Sequence, residues 1–345
     1  MRRLVHIQTL RFFAATAVVL FHSKGSAESY LGGTSRASAL FDHGRYGVDL
    51  FFVISGFIIY YTTRRKDLSA GQFLRRRIER IVPIYWLSTF LLVALVILFP
   101  QALTHAASVD VGHLIKSLFY VSFVDAARPT VFLGWSLEFE MFFYLMVAAL
   151  MWRLPVWITW DRVLPLLFLS LAAVGAFSAI RMALGPYRFF VQPFLIEFVL
   201  GVVIGQTLSG RVPKLELIAL VLSVIALSIA RGWLNRIVVV GLPCAAMVLV
   251  AARLSRSGGP IGHVEHVCEK IGDSSYSIYL IQVFTISTVC KVIAKLAPAT
   301  DVDVLIAIST IVTVAAGYCS YLWVERPLLN LCRRRSPPVA VSANV

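Results

Sequence analysis

Charge is scarce in this sequence. Acidic and basic residues together make up 14% of its 345 positions, and only 18 residues are Asp or Glu. A soluble domain carries roughly 25% charged residues. With 59% hydrophobic residues, this scarcity excludes an ordinary water-soluble domain. No region reads as a separate soluble domain, and no internal repeat is evident, which argues against a transporter built from inverted halves. The five cysteines, at 244, 268, 290, 319 and 332, form no C-x-x-C pair and lie near no histidine at metal-ligand spacing. They read as small apolar residues, and neither a metal site nor a resident cofactor is expected.

What is present is apolar sequence in long runs. Ten stretches are long enough to cross a bilayer, which takes ~20 mostly apolar residues. They lie at about 7–23, 46–63, 81–99, 132–152, 163–182, 189–208, 215–231, 236–252, 274–294 and 303–324. An eleventh, 114–124, is shorter, contains Lys116 and reads as re-entrant or interfacial. The expected fold is therefore all-α: a polytopic membrane protein with about ten transmembrane helices. Residues 1–332 form the membrane domain, and 333–345 form a short cytoplasmic tail. The first ~25 residues imitate a secretory signal peptide, but Arg11 and His22 within them argue for a retained span.

The net charge of +14 would suggest nucleic-acid binding in a soluble protein. Here it reads as loop charge that sets topology, and no nucleic acid is expected. With the N-terminus inside and 114–124 not crossing, nineteen Lys and Arg residues fall inside and eleven outside. The positive-inside rule then puts both termini in the cytoplasm.

Polar residues in apolar stretches cost free energy, about 2.5–3.5 kcal/mol for a charge at the bilayer centre, so each is a candidate for function. Arg11 and His22 lie eleven residues apart in the first span. They point nearly the same way along a helix, separated by a rise of ~16 Å. They either snorkel to opposite surfaces or line one functional face. In "GVDLFFVISGFII", Asp49 falls near the outer end of the second span, and Ser55 and Gly56 fall mid-span, where small residues suit close helix packing. In "RRRIERIVPIYW", Arg77 and Arg80 share a helix face. They make either a basic collar on anionic membrane lipids or a phosphate site. In "GWSLEFEMFFYL", Glu138 and Glu140 point about 200° apart and are not expected to share a task. Either glutamate could simply favour the helix N-terminus. Glu140 could also sit beside His22, where a carboxylate orients an imidazole and raises its basicity.

Seven segments occur in one order: "IQTLRFFAATAVVLFHS", "GVDLFFVISGFII", "RRRIERIVPIYW", "WSLEFEMFFY", "FLIEFVLGVVIG", "SYSIYLIQ" and "VERPL". Together they resemble the membrane-bound acyltransferase 3 family, in the branch that acylates bacterial exopolysaccharide, over about residues 6–330. The resemblance implies transfer of a short acyl group, most simply acetyl, from acyl-CoA to a sugar hydroxyl of a lipid-linked oligosaccharide or polysaccharide in the bacterial inner membrane. It implies acetyl-CoA or another acyl-CoA as donor substrate. It assigns Arg11, His22 and Glu140 to catalysis, with His22 as general base or, as the alternative, a transient acyl carrier, and Glu140 orienting or charging it. Arg77 and Arg80 would meet donor phosphate. Asp49, Trp135, Ser136 and Glu138 are further candidate substrate contacts, and Gly201 and Gly205 suit packing. Many members carry His where this chain has Gln282, so no proton carrier is expected there. No counterpart of the extra hydrolase-like domain of some members is expected within these residues. The alternative is a polysaccharide or lipid flippase whose polar residues line a permeation path.

Overall fold

The structure, a computed structural model, describes residues 4–63, 68–99, 110–125, 127–155, 159, 192–210, 236–257 and 262–334. Among the described residues the regular structure is helical. In chain order the helices are α1 (Val5–Leu31), α2 (Ser38–Asp42), α3 (Gly47–Thr63), α4 (Ala70–Leu98), α5 (Val111–Leu118), α6 (Gly134–Arg153), α7 (Phe194–Leu208), α8 (Leu242–Ser257), α9 (His263–Asp273), α10 (Ser275–Leu296), α11 (Val302–Ser320) and α12 (Arg326–Arg334). π turns at Ile237–Gly241 and Tyr321–Glu325 lead into α8 and α12.

Seven of the described helical segments are long and apolar enough to cross a membrane. They correspond to the expected spans at 7–23, 46–63, 81–99, 132–152, 236–252, 274–294 and 303–324. An eighth apolar helix, α7, has 15 described residues and falls on the expected span 189–208. The expected spans 163–182 and 215–231 lie outside the described residues. The segment 114–124 begins inside α5, a helix of eight residues that rises only ~12 Å. That is too short for a hydrocarbon core of ~30 Å, and the chain turns at Tyr120, whose φ is 62°.

Two helices extend beyond their apolar runs for local reasons. α1 continues to Leu31 because Lys24 pairs with Glu28, four residues on, and with Asp42 at 2.7 Å. It stops at Gly32, whose left-handed φ of 71° caps the helix. α4 begins at Ala70, well before its apolar run, because Ser69 and Gln72 form a reciprocal capping box. The basic stretch is thereby helical, and Arg77 and Arg80 are carried on a rigid element.

α1 is the centre of the bundle and packs against α3, α8, α9, α10 and α11. α3 crosses α7 most intimately, α10 pairs with α11, and α4 packs on α6. Glycine sets the closest of these approaches. A methyl group at Gly56 would collide with the backbone carbonyl of Phe198, and one at Gly201 with that of Val53. At Gly205 it would collide with the Tyr60 ring. Membrane helices gain little hydrophobic energy from one another, so backbone proximity and dispersion hold them together. The packing expected of Gly56, Gly201 and Gly205 is what the structure contains. Large apolar side chains such as Phe90, Leu91, Val239 and Ile311 face outward, where lipid rather than water covers them.

Alanine stabilises an isolated helix by ~1 kcal/mol relative to glycine. At Gly56 overpacking by ~1–3 kcal/mol outweighs this, because the clash is with backbone. At Gly71, in the first turn of α4, a methyl meets nothing within 4 Å. Gly56→Ala is therefore expected to lower the melting temperature of the purified protein in detergent, and Gly71→Ala to leave it unchanged or raise it.

Candidate functional site

Four of the charged residues singled out in the sequence surround one cavity. Arg11 projects from the second turn of α1, Arg77 and Arg80 from α4, and Glu140 from α6, all lining a volume of about 120 Å³. Much of the remaining wall is apolar and includes Phe52, Ile59 and Leu137, with Ser55, Ser136 and Tyr279 among its polar groups. Glu140 is held firmly: Ser55 Oγ donates to its Oε1 at 3.3 Å, and the Tyr144 hydroxyl donates to the same oxygen. Arg77 lies over the rings of Phe73 and Tyr144, each 5.5 Å from the guanidinium carbon, and donates to Thr62 Oγ1 at 3.3 Å. Arg11 donates to Gln8 Oε1 at 3.1 Å and is within electrostatic reach of Arg80, Glu325, Glu140 and Asp273.

Deeper along the cavity, Ser136 Oγ and the Tyr279 hydroxyl lie 2.8 Å apart. Both donate to the carbonyl of Leu133, at 3.2 and 3.1 Å. Tyr276, one helical turn before Tyr279, donates to the carbonyl of Ile81 at 2.8 Å and ties α10 to α4. These hydroxyls give an otherwise apolar channel a few fixed hydrogen-bonding points.

A second, polar cavity of about 430 Å³ adjoins the first. Arg11 and Arg80 line both. Its other walls come from α9 and from the π turn and helix that end the described chain, with Asp273, Glu325, Arg326 and Asn330 among the lining residues. The π turn rotates Glu325 inward, where Ser277 Oγ donates to it at 2.6 Å.

The remaining candidates lie elsewhere. His22 is half-buried in the C-terminal half of α1, with its ring edge-on to Phe21 at 5.0 Å and to Phe132 at 5.4 Å. It is bonded to neither Glu140 nor the arginines. Glu140 sits level with Ser55 and the guanidiniums, whereas His22 lies three helical turns beyond Arg11. The two cavities do not include His22 in their lining. Phe132, however, lies four residues before Ser136, which lines the narrow cavity.

Glu138 points away from Glu140, as the helical spacing requires. Its Oε1 accepts the backbone N–H of Ser122 at 2.8 Å and ties the 122–125 turn to α6. Asp49 is fully buried and paired with Arg236 at 2.8 Å, with Glu197 close by. Trp135 packs against Phe194 and Phe139. Asp49, Trp135 and Glu138 therefore do not line the cavity, while Ser136 does. Gln282 is buried and donates through Nε2 to the Tyr279 carbonyl at 2.8 Å.

Sequence reasoning missed the tyrosines and the Ser55 bond. Tyr144 lies four residues after Glu140 and so on the same helix face, a spacing that could have flagged it. Tyr276 and Tyr279 share a face of α10 in the same way. Nothing local signalled Asp273 or Glu325, which meet Arg11 only through tertiary packing.

The family profile described as an acyltransferase domain matches residues 5–323. The exopolysaccharide production protein ExoZ of Rhizobium meliloti (strain 1021) is 36% identical over 317 residues, which cover 86% of this chain and 92% of that protein. The acyltransferase MdmB of Streptomyces mycarofaciens is 26% identical, with 97% of this chain and 94% of the relative covered. The O-acetyltransferase OatA of Staphylococcus aureus (strain NCTC 8325 / PS 47) is 30% identical over 164 residues, 42% of this chain and 24% of its own. No solved structure matches the chain. With the profile covering nearly its whole length, this chain belongs to the acyltransferase 3 family and is an acyltransferase embedded in a membrane.

Proposed function

We propose that this acyltransferase moves a short acyl group, most simply acetyl, from acyl-CoA to a sugar hydroxyl of a lipid-linked bacterial exopolysaccharide or related surface glycan. The observation that carries this reading is the pair of adjoining cavities that share Arg11 and Arg80 inside a bundle of membrane helices. A guanidinium pair between a polar and a largely apolar space suits a donor with an anionic head and an uncharged arm. The similarity to an exopolysaccharide production protein supports the acceptor class. The flippase alternative has no support from the family match.

In this reading the chain makes ten crossings of the bacterial inner membrane, with both termini in the cytoplasm. Residues 1–332 act as one membrane domain, followed by the tail 333–345. The thioester arm runs outward from Arg11 and Arg80 past Ser55 and Ser136. His22 removes the proton from the acceptor hydroxyl, and the oxygen attacks the thioester carbonyl. The carbon–sulfur bond breaks, and the departing thiolate takes the proton from the imidazolium. Glu140, fixed by Ser55 and Tyr144, balances the guanidinium charge and holds the channel in shape. Arg77 supports it from beside Tyr144.

General-base catalysis contributes ~10²–10⁴-fold. His22→Ala is therefore expected to cut polysaccharide acylation, read by mass spectrometry of the glycan, at least ~100-fold, with normal membrane insertion. Wild-type acylation would remove His22 from the mechanism.

The topology is tested by reporter fusions after Ser69 and after Val345. Both are expected to report cytoplasm. A signal from the opposite side at the C-terminus would overturn the ten-crossing arrangement.

Acyl-CoA is too charged to cross a bilayer, and His22 lies ~16 Å outward of Arg11 by helix rise. The transfer is therefore expected to be vectorial. Oriented sealed proteoliposomes, given acyl-CoA on the cytoplasmic side and a soluble acceptor oligosaccharide opposite, should form product on the acceptor side. Product that appears only when both share the cytoplasmic side would refute transfer across the membrane.

A further inference from the structure

The polar cavity contains residues that the reading above leaves unused. Besides Arg11 and Arg80 it is lined by Arg326 and Asn330 on α12, Gln8 on α1 and Asp273 at the end of α9. Arg11 and Arg80 also line the narrow cavity, so they form the neck between the two, whereas Arg326 lines the polar chamber alone. Arg11 and Arg80 are like charges within electrostatic reach of one another, an arrangement that an anion between them relieves. Glu325 is engaged by Ser277. Arg326 is exposed, and among the described residues no carboxylate lies within ion-pair distance of it.

The volume of about 430 Å³ falls in the range of small-ligand pockets, ~300–1,000 Å³. It suits a free nucleotide. The order of groups along the two cavities also has a chemical counterpart. In an acyl-CoA the 3′-phosphorylated adenosine comes first, then the diphosphate, then the uncharged pantetheine with its two amides, then the thioester. The structure offers, in the same order, Arg326 with the amide of Asn330, the Arg11–Arg80 neck, where Gln8 accepts from Arg11, and an apolar channel with hydroxyls at Ser55 and Ser136.

We infer that the polar chamber is the site for the nucleotide end of the donor, with Arg326 binding the ribose 3′-phosphate while Arg11 and Arg80 bind the diphosphate. The C-terminal helix α12 is thus part of the donor site, and the 3′-phosphate distinguishes the accepted donor from other pantetheine thioesters. This inference rests on the acyl-CoA reading above.

The test is calorimetric binding of CoA, 3′-dephospho-CoA and pantetheine to purified protein in nanodiscs. One charge-assisted contact to phosphate changes affinity by about tenfold or more. The wild type is expected to prefer CoA over 3′-dephospho-CoA by about that factor. Arg326→Gln should abolish the preference and bind 3′-dephospho-CoA as the wild type does. Arg80→Gln should weaken both nucleotides and keep the preference. Arg326→Lys keeps the charge but loses the planar fork, and should show an intermediate preference even if the glutamine variant fails to fold. Equal wild-type affinity for the two nucleotides, or an unchanged preference in the Arg326 variants, overturns the inference and leaves the acyl-CoA reading standing. A wild type that binds neither nucleotide overturns that reading, and the inference with it.

Discussion

The burial of guanidinium groups among apolar helices is the constraint on which this structure turns. Arg11, Arg77 and Arg80 come from two helices and meet around one small cavity. A single such charge at the bilayer centre costs about 2.5–3.5 kcal/mol on insertion scales, and like charges gathered together add repulsion. Only a strong local compensation makes the arrangement tolerable. The carboxylate of Glu140 supplies part of it at the cavity, and Glu325 and Asp273 supply part from the polar chamber. Rings of Phe73 and Tyr144 under Arg77 supply another part.

That compensation demands accurate registration of helices, and glycine provides it. α3 carries Ser55 to Glu140 and lies against α7 through Gly56 and Gly201, where backbone meets backbone. α9 approaches α1 just as closely: a methyl at Gly272 would strike the carbonyl of Gln8. This contact sets Asp273 beside the residues that line the polar chamber. A side chain at either glycine would strike backbone and force the two helices apart. The electrostatic site and the packing motif are therefore two aspects of one arrangement.

The acidic residues outside the cavity show how different tasks are allotted to similar side chains. Glu138 holds a backbone N–H of the short segment between α4 and α6. This fixes the stretch that reaches Phe132, the ring against His22. Asp49 neutralises Arg236 and joins α3 to the start of α8. A buried ion pair of this type is costly to break because the remaining charge is left unpaired. Both residues thus support the geometry of the site without lining the cavity.

The sequence by itself determined the solvent, the class of structure and the identity of the unusual residues. Scarce charge and repeated apolar runs require membrane helices, and helical periodicity puts Arg77 with Arg80 and separates Glu138 from Glu140. Those features depend only on neighbours along one chain segment. Only the tertiary structure decided that Glu140 bonds Ser55 and Tyr144 rather than His22, that Asp49 is spent on Arg236, and that Arg11 and Arg80 join two cavities. Spacing along a helix defines which face a residue occupies, but not which helix lies opposite or at what height. Those are set by close contacts such as Gly56 with Phe198 and Gly201 with Val53, between residues far apart in the chain, and no local pattern encodes the partner.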